Sequence, residues 1–124
     1  NPPNFLSEDT SMIDQVRPAA LTAWMQAQAT TAPAVVLDVR EPWELQTAAV
    51  RPDGFELVTI PMGEVPARLA ELDASRPVAC LCHHGARSLR VAAFLVQNGF
   101  ERVANIAGGI DAWSAERDPQ VSRY

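Results

Sequence analysis

Three short stretches constrain this chain most: AVVLDV at 34–39, VACLC at 78–82 and RVANI at 102–106 run almost without a polar break. A strand with one wet face alternates apolar and polar residues, whereas a strand covered on both faces reads as a continuous apolar run. Around these stretches apolar residues recur at helical spacing instead. Leu21, Trp24, Met25 and Gln28 do so in AALTAWMQAQ, behind Pro18, which suits a helix's first turn. Leu89, Ala92, Ala93 and Val96 form the expected core stripe of RSLRVAAFLVQNG, where Asn98-Gly99 resembles a C-cap. Met12–Val16 and FELVTIP add two strands. REPWELQTA reads as a short helix opening near Glu41-Pro42, and GEVPARLAEL as another with Val65, Leu69 and Leu72 on one side. Gly108-Gly109 turn into a last helix, IDAWSAER, and Trp43 and Trp113 sit in amphipathic helices as core or rim residues. The alternation predicts an α/β fold, with a central, mainly parallel five-stranded sheet and helices on both faces.

At 124 residues one core suffices. We expect a loose lead-in over 1–10, a domain over 11–118 and a C-terminal tail over 119–124. The net charge of −5 disfavours nucleic acid and anionic membrane surfaces as partners, since both would repel the chain. No apolar run approaches the roughly 20 residues of a membrane span, and NPPNFLSEDT has neither the positive start nor the apolar stretch of a signal peptide. All ten basic residues are arginine, which excludes a P-loop lysine and any Schiff-base chemistry. The two cysteines, one residue apart, make a poor disulfide. Free thiols point to a reducing compartment, and cytoplasm is the expected location.

Both cysteines and both histidines fall within Cys80–His84, followed by Gly85, Ala86, Arg87 and Ser88. In open parallel sheets, sites lie beyond the carboxyl ends of strands, and Cys82 stands at such an end, just before a helix. Loop amides and the helix N-terminus can converge there on an anion. A cysteine reacts as the thiolate, which such surroundings favour. Gly85 permits a tight cradle, and Arg87 offers a planar fork suited to oxyanions. Cys82 is therefore the expected nucleophile. Cys80, two residues earlier on the same sheet face, reads as core filler, with a resolving thiol as the lesser reading. Asp38 and Arg40, closing the strand at 34–39, lie on the same rim.

Zinc is disfavoured, because structural sites draw ligand pairs from two places in the chain and no second cluster exists. Phosphate chemistry is a closer rival. Cysteine phosphatases place five residues between their Cys and Arg; here there are four, His83, His84, Gly85 and Ala86. The tighter cradle suits a smaller group, such as a sulfur atom carried on cysteine.

VVLDVREPWEL, CHHGARS and NIAGGIDAW together resemble the rhodanese family, the thiosulfate or persulfide sulfurtransferases, in single-domain form, over roughly residues 12–117. The resemblance implies that Cys82 takes a sulfane sulfur from a small donor such as thiosulfate, and that a thiophilic acceptor, including a protein, removes it. It implies no cofactor and no metal. The loop from His83, His84, Gly85 and Ala86 to Arg87 and Ser88 would bind substrate: amides holding the outer sulfur, Arg87 drawing in the donor. Asp38 and Arg40 match positions that brace this loop, against the alternative of a weak surface ion pair. His83 and His84 either tune donor choice or fill the loop. Ser88 reads as a helix-start residue bonding free backbone N–H groups. The family's glycine-histidine-isoleucine stretch is absent here, with Arg51-Pro52-Asp53-Gly54 as the turn instead, so the rim beside the site is expected to differ. Alternatives are a phosphatase-like cysteine enzyme and a sulfur-relay or partner-binding module with little turnover.

Overall fold

A computed structural model describes residues 10–28 and 30–124. The lead-in expected over 1–10 thus lies, but for Thr10, outside the described residues. Five strands, β1 (Ile13–Val16), β2 (Val35–Asp38), β3 (Glu56–Thr59), β4 (Val78–Leu81) and β5 (Val103–Ile106), alternate with four helices: α1 (Leu21–Gln26), α2 (Pro42–Thr47), α3 (Ala86–Gln97) and α4 (Gly109–Glu116). The sheet order is β1-β5-β4-β2-β3, and every pairing is parallel.

The three unbroken apolar strands are the central ones. β2, β4 and β5 are buried at all four positions, while the edge strands β1 and β3 keep exposed residues. Successive side chains feed opposite cores, as the period of two requires. Val35, Leu37, Val39, Val78, Cys80 and Cys82 pack with Val91, Phe94 and Leu95 of α3. Val36, Ala79, Leu81, Ala104 and Ile106 face Leu21 and Trp24 of α1 and Ile110 and Trp113 of α4. Trp113 is fully enclosed, whereas Trp43 stands exposed on the rim.

Three expectations need correction. The helix read in GEVPARLAEL is instead two 3-10 turns, Met62–Glu64 and Leu69–Glu71. Pro66 has no N–H to give the ladder, and its ring would strike the carbonyl four residues back. Val65, Leu69 and Leu72 still pack on the α3 core. Those same residues widen the buried arc of α3: Val91, Phe94 and Leu95 are its deepest apolar positions alongside Ala92 and Ala93, with Leu89 and Val96 only partly covered. Finally, the Arg51–Gly54 turn precedes β3 at the amino edge of the sheet, where Arg51 pairs with Asp118, so it lies away from Cys82. α3 ends as expected: Gly99 takes a φ of 91°, and the Phe100 N–H reaches back to the Leu95 carbonyl at 3.1 Å. The tail over 119–124 runs back across the domain, with Val121 buried and its carbonyl taking the Ser114 hydroxyl at 2.6 Å.

Candidate active site

β4 ends at Leu81 and α3 begins at Ala86, so Cys82–Gly85 is a loop at the carboxyl edge of the sheet. Its conformation is imposed from outside by α4. The Ile110 N–H donates to the Cys82 carbonyl at 2.9 Å and the Asp111 N–H to the His83 carbonyl at 3.2 Å. With those carbonyls turned outward, loop amides are left to face the sulfur. Gly109 makes this approach possible: a Cβ there would lie 2.3 Å from the His83 oxygen and 2.6 Å from the Cys82 oxygen. Gly85, with φ at 108°, provides the left-handed residue that starts α3.

Cys82 is 1% exposed, and its Sγ has three polar neighbours, two of them backbone N–H donors. The Gly85 N–H lies at 3.1 Å, the Ser88 N–H at 3.3 Å and the Ser88 hydroxyl at 3.2 Å. No carboxylate or imidazole is bonded to the sulfur among these contacts, so the arrangement solvates a negatively charged sulfur rather than accepting its proton. Ser88 is therefore not the expected cap. It is the third residue of α3, and its hydroxyl gives its proton to Asn105 Oδ1 at 2.5 Å and sets its oxygen beside Cys82 Sγ, instead of meeting free helix amides. Asn105 on β5 is buried and uses both amide donors, on the Gly85 carbonyl and Gln15 Oε1, each at 3.1 Å. A lone polar residue in the strand VANI was the visible signal for it, since a buried amide needs partners.

Cys80 points into the core behind Cys82 and is wholly buried; burial pushes its thiol pKa well up. Its environment is that of the core residue expected. Ala86 is exposed at the start of α3.

Asp38 and Arg40 are not a surface pair. Both side chains are enclosed, and the guanidinium meets the carboxylate through Nε at 2.9 Å and Nη2 at 2.7 Å. Arg40 continues to the Glu44 carbonyl at 3.3 Å and the Tyr124 hydroxyl at 3.1 Å. Arg87, the loop's own cation, is already paired: its two terminal nitrogens bind the carboxylate of Glu44 at 2.7 and 2.9 Å. Glu44 also accepts the Tyr124 hydroxyl at 2.6 Å and the Glu41 N–H at 3.0 Å. The Arg87 guanidinium, with help from these donors, holds the buried Glu44 carboxyl down at about 2. Glu44 escaped sequence reasoning although Glu41-x-x-Glu44 at a helix start is a capping pattern. Tyr124 carried no local signal at all.

His83 and His84 stack on each other at 3.8 Å, and the Tyr124 ring lies on His83 at 3.9 Å and 7°. His83 Nε2 meets the main-chain oxygen of Tyr124 at 2.6 Å; that oxygen only accepts, so Nε2 carries the proton. Among the described residues no group of three or more His, Cys, Asp and Glu side chains is placed to hold a metal, and no helix is long and apolar enough to cross a membrane.

Comparison with known proteins agrees with this architecture. A sulfurtransferase from Allochromatium vinosum is 34% identical over 111 residues, 90% of this chain and 97% of that protein. A rhodanese-related protein from Thermoplasma volcanium superimposes with a TM-score of 0.70 at 30% identity, covering 90% of this chain and 99% of the other. The polysulfide-sulfur transferase homodimer of Wolinella succinogenes matches with a TM-score of 0.66 at 27% identity, over 86% and 77% of the two chains. The rhodanese-like domain family matches residues 19–116, and with Cys82 at the carboxyl edge of its parallel sheet this chain belongs to that family.

Proposed function

We propose that this protein is a sulfurtransferase that carries sulfur as a persulfide on Cys82. The observation that supports this best is the convergence of two backbone N–H donors on Cys82 Sγ with no carboxylate or imidazole bonded to it. The sulfurtransferase relatives support the same reaction class. In the first half-reaction the Cys82 thiolate attacks the outer sulfur of thiosulfate. A new S–S bond forms, the old one breaks, and sulfite leaves with its electron pair. In the second, an acceptor nucleophile such as cyanide or a thiolate attacks the outer sulfur and restores the Cys82 thiolate. This is two-step covalent catalysis, and it requires no metal or organic cofactor.

Loop amides from His83 to Ser88 hold the terminal sulfur in place of Sγ, and Asp38 and Arg40 brace the loop through Glu44 and Tyr124. Arg87 contributes a cation whose charge is already balanced by Glu44, which moderates its pull on any dianionic donor. A phosphatase-like reading is weakened by the four-residue spacing. Small sulfur donors and a thiol or protein acceptor are the natural partners, in a compartment such as cytoplasm where free thiols persist.

Intact mass after incubation with thiosulfate tests the proposal, on the wild type and on Cys82→Ser. The expected result is a gain of one sulfur atom that cyanide discharges and that the variant lacks. No gain on the wild type, or an equal gain on Cys82→Ser, refutes it.

A further inference from the structure

The segment that follows α4 has an unusual number of attachments to the rim of the site. Val121 is buried, and Arg123 pairs with Asp111 at 3.0 and 3.2 Å. Tyr124 is then held in three different ways. Its ring lies flat on His83, the residue directly after Cys82. Its main-chain oxygen takes the His83 Nε2 proton. Its hydroxyl joins the side chains of two ion pairs, donating to Glu44 at 2.6 Å and accepting from Arg40 at 3.1 Å. The ring of Trp43, on α2, meets Tyr124 edge-on at 6.3 Å.

We infer that Tyr124 is a specificity-determining residue: with His83 it walls the approach to Cys82 and restricts by size what reaches the sulfur. Two features of the geometry lead there. Cys82 is 1% exposed although it lies in a surface loop, so its access is narrow. The group fastening the wall is a neutral hydroxyl bonded to the Glu44 carboxylate, whose other partner is the loop's own Arg87. The wall and the loop therefore share one anchor, Glu44, among the wall's several. A small donor or acceptor passes with the wall in place, whereas a bulky one reacts only when residues 119–124 swing away. Reaction with a bulky reagent then reports the fraction of molecules with the segment open.

This inference rests on the sulfurtransferase reading for its biological meaning, but its test does not need sulfur transfer. Cys82 is alkylated with iodoacetamide and, separately, with fluorescein maleimide, and both rates are followed by intact mass on the wild type, Tyr124→Phe and Tyr124→Ala. Cys80 is fully enclosed and stays silent. A hydrogen bond to a charged group holds the segment closed by roughly an order of magnitude, so Tyr124→Phe should raise the maleimide-to-iodoacetamide rate ratio about tenfold. Tyr124→Ala should raise it further, because the ring is lost as well. Where the persulfide forms on the wild type, the same variants should lower the ratio of KM for glutathione as acceptor to KM for cyanide. A merely structural tyrosine would lower the urea midpoint and leave the rate ratio where it was. An unchanged ratio in Tyr124→Phe overturns the inference, whether or not Tyr124→Ala folds. Absence of a persulfide on the wild type, with the ratio still rising, would instead count against the sulfurtransferase reading alone.

Discussion

Replacing Glu44 by Gln removes one negative charge from a side chain that is 2% exposed and bonded to Arg87, Tyr124 and the Glu41 N–H. A carboxyl held at about 2 instead of its usual 4.5 favours the folded, charged form by about 3 kcal/mol. The Arg87 side chain is 35% exposed, so solvent screens part of this, and we expect Glu44→Gln to cost about 2 kcal/mol at neutral pH. The sign follows from proton binding. As pH falls below about 4.5 the unfolded carboxyl takes up a proton that the folded one refuses, so this stability is lost progressively down to about 2. Gln cannot take that proton. Urea unfolding of both proteins, from neutral pH downward, should therefore show a gap that is full near neutrality and shrinks with acid. Other carboxylates titrate in both proteins and cancel in the difference. A gap that stays constant on acidification, or no gap at neutral pH, would refute the argument that the Glu44 charge anchors Arg87.

Gly109→Ala should be among the most damaging single changes. Its Cβ would meet the His83 backbone at 2.3 Å and φ is +61°, so we expect a loss of about 3 kcal/mol or more by urea unfolding, together with slower alkylation of Cys82 as the loop amides turn away. Cys80→Ala should cost about 1 kcal/mol for the lost volume and leave the lifetime of the Cys82 persulfide unchanged by intact mass, whereas loss of a resolving thiol would lengthen it. Because burial raises the Cys80 pKa, its contribution is full below the unfolded thiol's ordinary range and declines as pH rises through it. The wild-type advantage over Cys80→Ala should accordingly narrow in alkaline urea titrations.

Much of this arrangement was legible in one dimension. The runs at 34–39, 78–82 and 102–106 had to be buried on both faces, and a chain that alternates such runs with helical stretches has few options beyond a parallel sheet between helices. Parallel topology puts loops that follow strands on one edge, so Cys82, Asp38 and Arg40 were assignable to a shared rim from order alone. Spacing alone misled in two places, once against a local rule and once against a tertiary neighbour. Pro66 lies inside an apolar pattern of helical period, yet its missing N–H breaks the segment into turns while Val65, Leu69 and Leu72 keep their places in the core. Ser88 stands at a helix start, yet Asn105 takes its hydroxyl proton, and Gly85 begins the helix by its left-handed backbone.

By itself, then, the sequence determined the class of fold, the edge on which the candidate site lies and the cysteine we propose as its nucleophile, because each follows from local periodicity and chain order. Only the tertiary structure decided what surrounds that cysteine. Glu44 lies 43 residues from Arg87, Tyr124 lies 41 from His83 and 80 from Glu44, and Asn105 lies 17 from Ser88. Contacts across such separations depend on how strands are ordered and where helices dock, and no window of neighbouring residues contains that information.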